Sequence, residues 1–128
     1  MPGNPAFGAY IRKLREEKRR DSTDFTLRRF ASLVGISPTL MSKMETGEFS
    51  PPGPDKIIRM AELLGVDPDE LLAMAGKVDP ELNQIIIDKP RVYADFLRTV
   101  ASLPPERLRM LSEMVNALKP TAGEGDEG

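Results

Sequence analysis

The chain has 128 residues, of which 40% are hydrophobic and 30% charged, a length and composition typical of one globular domain or a small domain with an appendage. It contains no Cys and no His, which excludes disulfides and thiolate chemistry and removes the commonest general base and metal ligand. No apolar run approaches about 18 residues and no secretory signal opens the chain, so we expect a cytoplasmic protein with no membrane contact. Because Cys and His are absent, we also expect that the protein is not an enzyme and binds no metal or cofactor.

The two halves of the chain differ in charge. Residues 1–60 carry 11 Lys and Arg against 7 Asp and Glu, a net charge of +4, whereas residues 61–128 carry 7 against 13, a net charge of −6. Together they give the total of −2. Because basic surfaces bind phosphates and release their counterions, the first half is the candidate for nucleic-acid binding. The acidic second half is expected to face away from DNA.

The first predicted helix spans about residues 5–20 and follows Asn4, a residue suited to cap it. Apolar residues at helical spacing, including Phe7, Ile11 and Leu14, are predicted to face the core. Six basic residues occupy the remaining positions of this helix. They indicate either a solvated surface or a surface near a nucleic-acid backbone.

A pair of short helices is predicted between Thr26 and Gly47, because the apolar residues recur at helical spacing but change phase at Gly35. Thr26 is suited to cap the first helix, and Gly35 can adopt the positive φ that a sharp turn requires. Ser37 is suited to cap the second helix, with Pro38 as its first residue. This pattern is typical of a helix-turn-helix, whose second helix lies in the major groove of DNA.

The candidate DNA contacts lie on the outward faces of these two helices. Thr39 and Ser42 can hydrogen-bond to bases, Thr39 or Leu40 can contact a thymine methyl, and Lys43 can reach guanine or phosphate. Arg28 and Arg29, in the first helix of this pair, are expected to be free to bind phosphate. A later helix N-terminus that bears Lys56 can hold another phosphate. The predicted DNA-binding residues are Arg28, Arg29, Ser37, Pro38, Thr39, Leu40, Ser42, Lys43 and Lys56. The alternative is an exposed helix with no role in DNA binding.

Two more helices are predicted to complete this domain near Gly76. The first spans about residues 55–64 and ends at Gly65, and its predicted core residues are Ile57, Ile58, Ala61 and Leu64. The second begins after Asp67, and its predicted core residues are Leu71, Leu72 and Met74. Glu45 is predicted to stabilise the fold by pairing with a basic residue such as Arg15.

Three further amphipathic helices are predicted to begin at Pro80, Pro90 and Pro104–Pro105. About forty residues bury too little surface to be stable without a metal, a disulfide or a partner chain, and neither Cys nor His is available. Homodimerisation is the simplest solution, and its two-fold symmetry matches a palindromic operator. The alternative is a monomer in which these helices only pack on the first domain. The predicted dimerisation residues are Val92, Tyr93, Phe96, Leu97, Val100, Leu108, Leu111, Met114, Val115 and Leu118.

Three blocks, FGAYIRKLREEKR, FTLRRFASLVGISPTLMSKMETGEFSPP and IIRMAELLGVDPDELL, resemble the Cro/C1 (Xre-type) helix-turn-helix family in order and spacing. The resemblance implies an all-α fold: a five-helix lambda-repressor-like DNA-binding domain in residues 1–77, followed by a small three-helix dimerisation domain in residues 78–119. Residues 120–128 are expected to be a disordered tail. Leu27 and Pro38 stand where many relatives carry a DNA-contacting Gln, so the operator sequence does not follow from the resemblance.

The same helix-turn-helix block together with the tail PRVYADFLRTVASLPPERLRMLSEMVNAL also resembles the DdrO-type repressors of the Deinococcus radiation and desiccation response. This resemblance implies a dimeric repressor of DNA-repair genes that is inactivated when a zinc metalloprotease of the IrrE/PprI type cuts its C-terminal domain. A cut in the last helix would remove an apolar stripe and dissociate the dimer, and the bond from Leu108 to Arg109 is the candidate site.

The sequence therefore predicts a sequence-specific transcriptional regulator that binds double-stranded DNA as a homodimer, and the resemblance implies that it is a repressor. An alternative is a protein-interaction module whose C-terminal helices bind an antirepressor or toxin, with DNA binding secondary. A regulator that responds to a small molecule is less favoured, since about forty residues leave little room for an enclosed pocket.

Overall fold

The computed structural model describes residues 3–120, and within that range it contains eight α-helices, one short 3-10 helix and no β-strand. The prediction of an all-α chain is confirmed for these residues. The helices are α1 (Pro5–Arg19), α2 (Leu27–Val34), α3 (Pro38–Glu45), α4 (Pro54–Leu64), α5 (Pro68–Met74), α6 (Pro80–Asp88), α7 (Pro90–Ala101) and α8 (Pro105–Ala117), and the 3-10 helix is Thr23–Phe25.

The hydrophobic core lies among α1 to α5 and draws at least two fully buried side chains from most of these helices. Phe7 and Ile11 of α1 face inward as predicted, because they are one helical turn apart. The buried core residues are Phe7, Ile11, Phe30, Ala31, Val34, Met41, Met44, Ile57, Met60, Ala61, Leu64, Leu71 and Leu72.

The observed core differs from the predicted one at Met60 and Met74. In α4 the buried stripe passes through Met60, which was not predicted, because positions 57, 60, 61 and 64 share one face of the helix. Ile58 is half-buried and packs against this core. Met74 is 42% exposed rather than buried. It is the last residue of α5, and its carbonyl oxygen accepts a hydrogen bond of 3.0 Å from the side-chain amide of Asn4.

Helices α1 and α3 approach each other closely at Gly8, which is buried. A Cβ atom added there would lie 2.3 Å from the backbone oxygen of Met44 and 2.6 Å from that of Glu45. Glycine at this position therefore allows the backbones of α1 and α3 to touch, and the contact fixes the position of α3.

The contacts divide the chain into two compact units, with the boundary between Asn83 and Gln84 in α6. The sequence places the domain boundary after Lys77, and that assignment stays a prediction. The disordered tail predicted for residues 120–128 lies almost wholly outside the described residues.

The second unit has no buried residue among its described positions, 84–120. Its predicted dimerisation residues are all at least partly accessible: Tyr93, Val100 and Leu111 are half-buried, and the other seven are exposed. The apolar faces of α7 and α8 thus keep much of their surface in water. No helix within residues 3–120 has the length and apolar character that a membrane span requires.

Candidate nucleic-acid interface

Side-chain caps define where α2 and α3 begin. The hydroxyl oxygen of Thr26 accepts a hydrogen bond of 3.3 Å from the backbone N–H of Arg29. The hydroxyl oxygen of Ser37 accepts one of 3.1 Å from the N–H of Leu40. Pro38 is the first residue of α3, where its missing N–H has no intrahelical partner to lose. The two caps predicted from the sequence are present.

Gly35 ends α2 and turns the chain into α3. Its φ of 94° lies in the left-handed region, which glycine adopts without steric cost. The Gly35 N–H donates to the carbonyl of Ser32 at 3.2 Å, and the Ile36 N–H donates to that of Ala31 at 3.0 Å. These paired bonds satisfy the carbonyls of Ser32 and Ala31, and the carbonyl of Leu33 accepts a hydrogen bond of 3.2 Å from the Nε of Arg59 in α4.

The outer face of α3 is polar and accessible. Pro38, Thr39 and Ser42 are exposed and Lys43 is half-buried. They line a shallow depression whose other walls are Leu27, at the start of α2, and Glu48, after α3. Ser37 is exposed at the end of the turn, and Leu40 is half-buried between this face and the core. The structure thus brings most of the predicted base-contacting residues to one surface.

The two predicted phosphate-binding arginines of α2 differ in their surroundings. Both are exposed, but the Nε of Arg29 lies 3.2 Å from the Oδ1 of Asp24, in a pair whose side chains are each about half exposed. The sequence predicts that Arg29 is free, but in the structure it is paired with Asp24. Within residues 3–120, Arg28 forms no ion pair. Arg28 is consequently the better placed of the two to meet a phosphate.

Lys56 lies beside the turn between α2 and α3. A Cβ atom added at Gly35 would be 3.0 Å from the Lys56 Nζ. Because the C-terminus of a helix carries partial negative charge, this ammonium stabilises the end of α2. Asp55 is 4.0 Å from Lys56 Nζ and is mostly exposed. Lys56 therefore supports the turn and also adds positive charge next to the DNA-binding candidates.

A buried ion pair attaches α3 to α1, as predicted. The Nε and Nη2 atoms of Arg15 donate to the two carboxylate oxygens of Glu45 at 2.8 Å and 2.9 Å. The Nη1 atom of Arg15 donates to the carbonyl of Phe25 at 3.1 Å. The hydrogen bonds that Arg15 donates to Glu45 raise the pKa of Arg15 above its ordinary value, although burial acts in the opposite direction. Arg15 thereby connects α1, the 3-10 helix before α2, and α3.

Phe49 is a member of this surface that the sequence reasoning missed. It follows α3 and is 45% exposed, and the Nζ of Lys43 lies 5.2 Å from the centroid of its ring. An aromatic residue in an otherwise polar loop, two residues before Pro51, was the available signal.

The capped helices α2 and α3, the glycine turn between them and the polar outer face of α3 define the class of helix-turn-helix proteins. A family model described as a helix-turn-helix domain matches residues 6–74, more than half of the chain. The chain belongs to this helix-turn-helix family, which is a family of binding domains and not of enzymes.

The chain is also similar to a curated protein, the HTH-type transcriptional repressor RghR of Bacillus subtilis (strain 168). The two are 27% identical over 116 residues, which cover 84% of this chain and 81% of RghR. The similarity therefore extends past residue 74, the end of the helix-turn-helix match, into the C-terminal helices. Comparison with the solved structures finds none that matches.

Proposed function

We propose that this protein is a sequence-specific DNA-binding transcriptional repressor that acts in the cytoplasm, on the nucleoid. The observation that carries the proposal is the exposed polar face of α3, held by capped ends and by the buried Arg15–Glu45 pair next to basic side chains. A rigid, polar helix of this kind fits the major groove. The similarity to RghR, which is named as a repressor, supports repression rather than activation.

In this proposal the interface residues have two different tasks. Thr39, Ser42 and Lys43 read base edges, with Pro38 and Leu40 beside them. Arg28, Ser37 and Lys56 meet phosphates, and Arg29 joins them when its pairing with Asp24 is exchanged for a phosphate. The phosphate contacts set position and affinity, whereas the base contacts set sequence preference.

The test begins with selection of bound duplexes from a random library of about 30 base pairs, long enough for two half-sites one helical turn apart. The wild-type protein is expected to enrich a palindromic sequence. Arg28→Ala should then weaken binding to all duplexes alike and reduce the magnitude of the salt slope by about 1, whereas Lys43→Ala should weaken binding chiefly to the selected sequence. Arg98→Ala, at an exposed site in α7, is the matched control. Failure to enrich any sequence would refute the proposal.

We also propose that α7 and α8 form the interface of a homodimer, and thus that residues 78–119 are a dimerisation domain. The described part of the second unit has no buried residue, while Phe96, Leu97 and Met114 are about half exposed or more. An apolar surface of this kind favours burial against another chain. A second copy also supplies the two-fold symmetry that a palindromic operator requires.

The mass of the protein in solution tests the dimer. The full chain is expected at twice the chain mass at micromolar concentration, and Phe96→Asp is expected at the monomer mass with its helicity retained. Arg98→Ala should remain dimeric. A wild-type monomer that forms a stable complex with an antirepressor or toxin would instead support the alternative function as a protein-interaction module.

The resemblance to DdrO-type repressors extends the proposal to regulation: the repressed genes belong to the DNA-damage response, and a zinc metalloprotease inactivates the repressor. The candidate bond joins Leu108 to Arg109 in α8, and Leu108 is 42% exposed. Pro104, the N-cap residue of α8, makes no side-chain capping hydrogen bond, and a helix end without such a cap is less stable than one that has it. Substituting both residues should abolish cleavage by such a protease, and unchanged cleavage would remove this assignment.

A further inference from the structure

The loop after α3 folds back onto Lys43. The backbone N–H groups of Glu48 and Phe49 donate to the Lys43 carbonyl at 2.9 Å and 3.2 Å, and the Thr46 hydroxyl donates to the same oxygen at 3.1 Å. The Phe49 ring then lies near the ammonium group of Lys43, with 5.2 Å between Nζ and the ring centroid. This distance is within the range of a cation–π interaction.

We propose that Phe49 is a positioning residue for Lys43, so that it sets the DNA affinity and sequence preference of α3 by acting through that side chain. The inference rests on the proposed DNA-binding function. Lys43 is the one basic residue in the sequence of α3, and its flexible stem loses rotamer freedom when it is ordered on DNA. A ring that already restricts the ammonium lowers that loss. Lysine has three donor hydrogens, so contact with a ring leaves others for a base or phosphate.

The exposure of Phe49 fits this role better than a role in the core. Its side chain stays outside the hydrophobic cluster of α1 to α5, and nearly half of its surface is accessible. A loop whose only task is to connect α3 to α4 does not need a large apolar side chain in water. The backbone hydrogen bonds to the Lys43 carbonyl hold the loop regardless of the side chain at position 49, so a substitution there should change the surface and leave the fold intact.

The experiment compares Phe49→Leu, which keeps apolar bulk but loses the ring face, with Phe49→Tyr, which keeps the ring face. The probe is the duplex that the wild-type protein selects from a random library, and a scrambled duplex of the same composition is the reference. Phe49→Leu should weaken binding to the selected duplex by about two- to five-fold, the effect of losing an exposed cation–π contact. Phe49→Tyr should bind within about two-fold of wild type.

A double-mutant cycle separates action through Lys43 from direct contact with DNA. In a Lys43→Ala background, Phe49→Leu should have no further effect on binding. In the free protein, the ring current should shift the Lys43 Hε protons upfield in the NMR spectrum, and Phe49→Leu should abolish that shift while the melting temperature stays unchanged.

Three results would overturn the inference. Equal losses with and without Lys43 would show that Phe49 contacts DNA itself. Full binding by Phe49→Leu, or Lys43 Hε shifts without a ring-current contribution, would show that the ring does not hold the ammonium. If the wild-type protein binds its selected duplex in these cases, the proposed function stands and only the role of Phe49 fails, whereas selection of no duplex removes both.

Discussion

Replacing Gly8 by alanine is expected to destabilise the protein, although alanine is the better helix former. By helix propensity alone, the change inside α1 would stabilise the fold by about 1 kcal/mol. The added Cβ, however, would lie 2.3 Å from the Met44 carbonyl oxygen and 2.6 Å from that of Glu45. Ordinary carbon–oxygen contacts begin at about 3.3 Å, so α3 would have to move away by roughly 1 Å.

A shift of that size also breaks the hydrogen bonds between Arg15 and Glu45, which measure 2.8 Å and 2.9 Å and are lost beyond about 3.5 Å. Overpacking costs about 1–3 kcal/mol, and hydrogen bonds to charged groups contribute about 1.5–3 kcal/mol. After the gain in propensity is subtracted, the expected loss is about 3 kcal/mol. For a domain of this size, that corresponds to a fall in melting temperature on the order of 10–20 °C.

Thermal and urea unfolding followed by circular dichroism measure this loss. The matched control is Ala9→Gly, at the neighbouring exposed position of α1, which should cost only the propensity term of about 1 kcal/mol. Gly8→Ala and Ala9→Gly are thus both expected to lower the free energy of unfolding, and Gly8→Ala is expected to lower it more. If Gly8→Ala were as stable as wild type, the inferred backbone contact between α1 and α3 would be wrong.

Three other substitutions test contacts in the DNA-binding domain. Arg15→Met leaves the Glu45 carboxylate buried without its partner, so urea unfolding should show a loss of about 3–5 kcal/mol, and a loss below about 1 kcal/mol would contradict the buried pair. Ser37→Ala removes the cap of α3 and should lower stability by about 1 kcal/mol with the urea m-value unchanged, whereas no change would mean that the hydroxyl does not cap. The hydrogen bond that Arg12 donates lowers the pKa of Glu16 in the folded protein. The Arg12–Glu16 pair therefore stabilises the fold at pH values above the pKa of Glu16 in the unfolded chain, about 4.3, and this stabilisation is lost as the pH falls through the pKa of Glu16 in the folded protein. Carboxyl NMR titration should show the Glu16 pKa rising toward its ordinary value in Arg12→Gln, and an unmoved pKa would exclude this pairing.

The elements of the DNA-binding domain could be predicted from the sequence because their signals are local. A capping side chain such as that of Thr26 or Ser37 acts on an N–H three residues away, and Gly35 determines its own φ. Helical periodicity likewise located most of the core. The pairing of Glu45 with a basic residue such as Arg15, 30 residues away, was predicted alongside the resemblance to the helix-turn-helix family and not from a local signal.

Apart from the Arg15–Glu45 pair, the tertiary structure alone decided which side chains are neighbours across separate elements. The closeness of α1 and α3 at Gly8, the pairing of Asp24 with Arg29, and the position of Lys56 beside Gly35 all depend on how helices cross and loops fold back. No periodicity or cap encodes such contacts, because they arise from the packing of the whole core. By contrast, the apolar stripes of α7 and α8 follow from the sequence, and their exposure in the structure follows from a second unit too small to bury them by itself.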